Sequence, residues 1–132
     1  MILEKAGLEL AKKLCEDDPV RKNIPYDWRV DGPNREIFHL EEKAVLCVAH
    51  LNAIPITEKE LMSFGWGNFS IFYTVWSKEK GLGRKIILEV WDLFKKQHTE
   101  NRYVYTNKIL SIKKRCKCIC KINARRRILC KY

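Results

Sequence analysis

The chain has 132 residues, with 26 Lys and Arg against 16 Asp and Glu and a formal net charge of +10. That length suits one domain, since domains most often run ~100–150 residues, and it argues against a large multidomain enzyme. A hydrophobic share of 46%, with four Trp, five Tyr and five Phe, excludes disorder throughout. No run reaches the ~18–20 apolar residues of a spanning helix, so neither a signal peptide nor a membrane partner is expected and the default compartment is the cytoplasm.

Placed along the chain, the charge separates into two parts. Residues 1–100 hold 15 basic and 16 acidic residues, whereas residues 101–132 hold 11 basic residues and no acid. Four of the six cysteines (Cys116, Cys118, Cys120, Cys130) also lie in the last quarter. The division reads as a near-neutral domain over residues 1–107 followed by a basic, Cys-rich segment over 108–132.

In chain order, Leu3, Ala6, Leu10 and Leu14 form an apolar stripe at 3–4 residue spacing, which predicts an amphipathic helix over Ile2 to Leu14, ending by Pro19. An irregular stretch with Pro25 and Trp28 follows, closed by the turn signal Asp31-Gly32-Pro33-Asn34. Glu36 to Leu40 and Ala44 to Ile54 read as strands joined by a hairpin turn at Glu41-Glu42-Lys43, the second almost continuously apolar as if buried on both faces. Thr57 with Glu60 three residues on has the pattern of a capping box. Aromatic and β-branched residues make Phe69 to Trp76 a strand. After a glycine turn, Ile86, Ile87, Val90, Trp91 and Phe94 predict a helix over 84–96, with Lys85, Glu89, Asp92 and Lys96 outward. A short strand, Tyr103 to Thr106, completes the pattern: an α+β fold with no internal repeat.

The strand 69–76, the turn Lys78-Glu79-Lys80-Gly81-Leu82-Gly83-Arg84 and the helix behind it form the one constellation with chemical content. A glycine turn feeding a helix N-terminus exposes unpaired N–H groups in the positive field of the helix dipole, which suits an anion. Neither GxGxxG nor GxxxxGK[ST] is present. A plain strand-to-helix turn, with glycine for geometry and lysine for solubility, fits the same residues.

This segment resembles motif A of the GNAT family of acetyl-CoA-dependent N-acetyltransferases, [QR]-x-x-G-x-[GA]. Lys78 stands at the Gln/Arg position and Gly81 and Gly83 at the two small positions. The resemblance covers roughly residues 36–107. It implies a mixed, mainly antiparallel sheet flanked by helices, acetyl-CoA as co-substrate, and transfer of an acetyl group to an amine. It further implies that the turn amides of Gly81, Leu82, Gly83 and Arg84 hold the pyrophosphate of coenzyme A, that Val75 and Trp76 meet the pantetheine through their backbone, and that Asn107 lies near the thioester. Small size and a spare hairpin are similar to phage-encoded acetyltransferase-like proteins, which would place the chain in a virion or a host cytoplasm. The chain departs from the family in three places: Lys78 cannot accept a hydrogen bond, strand 69–76 carries no acid, and nothing after Asn107 matches the family's last helix. The catalytic residues are therefore unassigned, with Glu36, Glu42 and Tyr105 the nearest candidates.

Of three readings of residues 108–132, a metal site is disfavoured and two others stay open. The spacing Cys116-x-Cys118-x-Cys120 is not a zinc knuckle, and no metal is expected. Arg125-Arg126-Arg127 and their basic neighbours suit a non-specific grip on nucleic acid. Alternation of Cys116, Cys118, Cys120 and Ile122 with Lys117 and Lys121 suits an edge strand. The expected function is acyl-CoA-dependent N-acetylation. The alternatives are a catalytically degenerate, virion-associated or binding protein acting through this basic segment, and a nucleic-acid module stacking bases on strand 69–76.

Overall fold

The computed structural model describes residues 1–19, 21–97, 102–105 and 128–130. Six strands form one sheet in sequence order: β1 (Leu3–Lys5), β2 (Arg35–Leu40), β3 (Ala44–Leu51), β4 (Phe69–Ser77), β5 (Arg102–Tyr105) and β6 (Ile128–Cys130). The pairs from β1 to β4 are antiparallel, and β4–β5 and β5–β6 are parallel. Helices α1 (Leu8–Cys15) and α2 (Glu58–Ser63) and a 3-10 turn at Trp28–Val30 connect the early strands, and α3 (Leu82–Gln97) carries the chain from β4 to β5. The expected α+β architecture, a mixed and mainly antiparallel sheet with helices on both faces, is what forms.

Strand β3 is the centre of the core, and all eight of its residues are buried. Its alternate side chains feed two apolar layers. Leu46 and Val48 join Phe38, Phe72 and Val75 beneath Ile86, Ile87, Val90, Trp91 and Phe94 of α3. Val45, Cys47 and Ala49 join Ile37, Ile71 and Tyr73 beneath Ala11 and Leu14 of α1. The predicted apolar face of α3 is therefore the buried one. Glu89, expected outward, is instead half-buried, with one carboxylate oxygen enclosed.

The N-terminal prediction needs correction. Residues 3–5 are strand rather than helix, because pairing with β2 (Leu3 with Leu40, Lys5 with Phe38) outweighs their local periodicity; Gly7 then starts α1. The strand predicted to Ile54 ends at Leu51, and α3 begins two residues earlier than expected, at Leu82. The hairpin falls where predicted, with Glu41 (φ 49°) and Glu42 (φ 59°) left-handed and Lys43 N–H donating to the Leu40 carbonyl. The first half of the capping box forms, with Thr57 Oγ1 accepting from Glu60 N–H at 3.1 Å. The Glu60 carboxylate reaches one residue further back than the box requires, accepting from Ile56 N–H at 2.8 Å.

The long α1–β2 connection is held by buried charge as well as by Ile24, which joins the α1 layer of the core. Arg21 and Arg29 are 0% and 1% exposed. Arg29 Nη1 lies 2.7 Å from Asp18 Oδ2, and its other nitrogens donate to the carbonyls of Arg21 and Ile24. Arg21 pairs with Glu58 of α2 at 3.0 Å. Removing one partner of a buried pair strands the other, so Asp18→Ala should cost about 3–5 kcal/mol in urea unfolding. Asp17→Ala, which loses only an exposed contact to Lys78 at 3.5 Å, should cost less than about 1 kcal/mol.

Candidate functional site

Two features of β4 and α3 converge at one end of the sheet. Strand β4 pairs with β3 along its whole length, from Phe69 with Leu51 to Ser77 with Ala44. It pairs with β5 only from Phe69 to Phe72, so among the described residues its second half, Tyr73 to Ser77, has no strand on that side. The last described rung lies beside a bulge. Cys47 is opposite Thr74 and Val48 opposite Phe72, leaving Tyr73 as the extra residue. The bulge also shifts the alternation by one. Ile71 and Tyr73 face the α1 layer and so does Trp76, whereas Phe72 and Val75 face the α3 layer. Bulges gather beside functional sites because they re-aim a strand and end its pairing.

At the end of this half-open strand the chain turns into α3. Gly81 takes φ +85°, a conformation costly for any residue with a Cβ, and a Cβ built there would meet nothing within 4 Å. Lys85 N–H makes the first helical bond, to the Gly81 carbonyl, and Leu82 N–H reaches Glu79 at 3.4 Å. The N–H groups of Gly83 and Arg84 have no hydrogen-bond partner among the described residues. Gly83 packs near Ser77 and Val75, linking the helix start to the strand end.

The charges around the turn divide into used and unused. Lys78 lies 3.5 Å from Asp17, and Glu79 3.1 Å from Lys43. Lys80, Arg84 and Lys85 are exposed and form no ion pair among the described residues. Open amides, a left-handed glycine and three unneutralised cations fit a phosphate group. The structure thus brings together Val75, Trp76, Lys78, Gly81, Leu82, Gly83 and Arg84, but places Leu82 and Gly83, expected in the turn, inside the helix's first turn beside Arg84. Asn107 lies outside the described residues, as do the predicted alternation over 116–122 and Arg125 to Arg127.

The candidate carboxylates fare differently. Glu42 sits in the exposed hairpin, and a hydrogen bond from Lys13 holds it below the usual carboxylate range. Glu36 belongs to another cluster, where its Oε2 meets His50 Nε2 at 2.9 Å and its Oε1 meets Lys5 at 2.9 Å. Neither is aimed at the turn. Tyr105 is the last described residue of β5, in register with Phe72 and Cys130.

Sequence reasoning missed two polar clusters. In the first, His50 Nδ1 bonds Ser70 Oγ at 2.8 Å, giving Ser70, His50 and Glu36 in nucleophile–base–carboxylate order. Ser70 is wholly buried and the Phe94 ring lies 5.0 Å from the imidazole, so no substrate reaches the hydroxyl and the bonds serve the core. The second gathers Arg21, Arg29, Asp18 and Cys47 below the bulge. Burial pushes the Cys47 thiol up to about 12 and Tyr73 well above its ordinary value, so neither is an anion at neutral pH. The 20-residue separation of His50 from Ser70 gave no local signal of either cluster.

An open recess of about 870 Å³ lies away from the turn, lined by Lys5, Gly7, Trp28, Asp31, Arg35 and Glu36 among others. Its cations are already engaged. Lys5 is paired with Glu36, and Arg35 lies 3.4 Å from Asp31 and stacks at 4.5 Å on Trp28. An anion finds less free positive charge there than at the Gly81 turn.

No family model and no curated protein sequence matches this chain. Among solved structures, the fold is similar to malonyl-CoA decarboxylase from Agrobacterium vitis (TM-score 0.63, 14% identity, covering 79% of this chain and 32% of that one). It is also similar to malonyl-CoA decarboxylase from Cupriavidus metallidurans (TM-score 0.52, 15% identity, 79% and 29%). The chain spans about a third of the length of these structures, and at such identity the likeness is one of fold. Among the described residues no helix is long and apolar enough to cross a membrane.

Burial raises the Glu36 carboxyl, but hydrogen bonds from His50 and Lys5 outweigh it and leave the group below the ordinary glutamate range. A lowered folded pKa contributes stability that is complete above the unfolded value of about 4.3 and is lost as pH falls through the folded value. Glu36→Gln should therefore destabilise the protein at neutral pH and flatten the loss of stability below about pH 4.3, as read from urea midpoints across that range. An unchanged acid slope contradicts the assignment.

Proposed function

We propose that this chain binds an acyl-CoA, with the pyrophosphate at the start of α3 and the pantetheine arm along the parted edge of β4, and transfers the acyl group to an amine. The observation that carries the reading is the coincidence of two halves of a site. The amides of Gly83 and Arg84, unbonded among the described residues, lie directly beyond a strand whose second half has no neighbour among the described residues on the β5 side. A phosphate suits the first half, and an extended chain with amide groups suits the second, because an unpaired strand edge offers backbone donors and acceptors. The resemblance to GNAT motif A supports acetyl-CoA as the donor. The names of the two solved neighbours specify a CoA thioester as their substrate, which supports the broader class.

Coenzyme A supplies a thioester whose carbonyl carbon is open to attack. The chain's own residues bind and orient it: Gly83 and Arg84 donate from the backbone, and Lys80, Arg84 and Lys85 contribute charge. The β4 backbone beside Val75 and Trp76 receives the arm. A deprotonated amine attacks the thioester carbonyl carbon while a β4 N–H steadies the oxyanion. Collapse breaks the C–S bond, and coenzyme A leaves as the thiolate, which is protonated as the nitrogen gives up its proton. No carboxylate of β2 or the hairpin is in position to act as base, so the amine must arrive deprotonated or lose its proton to water.

Calorimetry with acetyl-CoA tests the reading. Binding on the order of micromolar is expected. Gly83→Trp, which would fill the space toward Ser77 and Val75, should abolish it, as should Gly81→Trp. A wild-type protein that takes up no acetyl-CoA overturns the proposal.

A further inference from the structure

We infer that Arg21, far from the Gly81 turn in sequence, is the positioning residue for the acyl group; this rests on the acyl-CoA reading above. Its Nε donates to the carbonyl of Tyr73 at 2.7 Å. Tyr73 is the bulged residue, and it directly follows the last β4 residue paired with β5 among the described residues. Just past that rung, a side chain from the α1–β2 connection takes the Tyr73 carbonyl.

The choice of residue type matters. At a bulge the regular ladder no longer dictates the direction of the peptide groups. The peptide joining Tyr73 to Thr74 is planar, so fixing its carbonyl also fixes its N–H and the path of the residues that follow. An arginine does this with a charge-assisted bond from a rigid fork, and its other end is anchored as well. Arg21 Nη1 bonds Glu58 Oε2 at 3.0 Å, and its backbone N–H donates to Asp18 Oδ1 at 3.0 Å. The guanidinium is wholly buried, so water does not compete for it. At the same bend, Thr74 is buried with a hydroxyl that has no hydrogen-bond partner among the described residues. Arg21 thus sets the β4 amides that meet the acyl carbonyl, without touching the ligand.

A merely structural arginine would weaken everything the fold binds. A positioning one affects only the acyl end, because the pyrophosphate amides of α3 lie elsewhere on the chain. The discriminating quantity is the preference for acetyl-CoA over free CoA, measured calorimetrically on the full chain. The wild type should prefer acetyl-CoA. Arg21→Gln should weaken acetyl-CoA about tenfold, the worth of one hydrogen bond, and leave CoA nearly unchanged. Glu58→Gln, at a partly exposed site, loosens the anchor without opening the core and should shift the same preference by about threefold. It decides the matter if Arg21→Gln does not fold. Parallel weakening of both ligands, or no change in either, in a variant with the wild-type unfolding midpoint overturns the role of Arg21. So does a wild type that binds CoA and acetyl-CoA equally, while leaving the CoA site standing. A wild type that binds neither removes the functional reading itself.

Discussion

Two arginines carry positive charge into the interior between α1, α2 and the sheet, and the arrangement of the site follows from how they are neutralised. Arg29 is matched by Asp18, and Arg21 by Glu58. Between them they satisfy the carbonyls of Arg21, Ile24 and Tyr73, which belong to a connection and a bulge with no regular ladder to serve them. Buried carbonyls without donors are costly, and long planar side chains with several donors satisfy them economically. The same bonds tie the irregular stretch after α1 to the centre of β4.

That tie holds β4 at the one place where its pairing with β3 is interrupted. Toward β3 the strand is paired on both sides of the Tyr73 bulge; toward β5 the described pairing runs from Phe69 to Phe72. An unsupported strand end invites non-native pairing. Here the bulge, the Arg21 bond and the packing of Val75 and Trp76 into opposite layers hold it in place. The start of α3 then lies just past the open edge, with its amides and cations unspent. The recess beside Trp28 has less unpaired charge, and volume alone does not recommend it for an anionic ligand.

Much of the fold was legible in local sequence. The continuous apolar run of β3, the 3–4 spacing of α3 and the Thr57–Glu60 box each depend on neighbours within a turn or a strand. So does the glycine turn, whose need for positive φ is met at Gly81. What was not legible depends on distant partners. Residues 3–5 carry a helical stripe but pair with β2, 33 or more positions away. Arg21 and Arg29 lie in a stretch without a strand or helix pattern, yet they are among the most buried side chains. The bulge leaves no trace in composition, because it is a difference in register between two strands. His50 and Ser70 meet only because β3 and β4 pair there.

The central claim is that an acyl-CoA spans the α3 start and the parted edge of β4. Backbone amide shifts recorded by NMR during titration with acetyl-CoA test it most directly. The account predicts that the largest changes fall on Gly83, Arg84 and the stretch from Thr74 to Ser77, with Lys5, Trp28 and Arg35 little affected. Changes concentrated at Lys5, Trp28 and Arg35, with Gly83 and Arg84 unmoved, would contradict it.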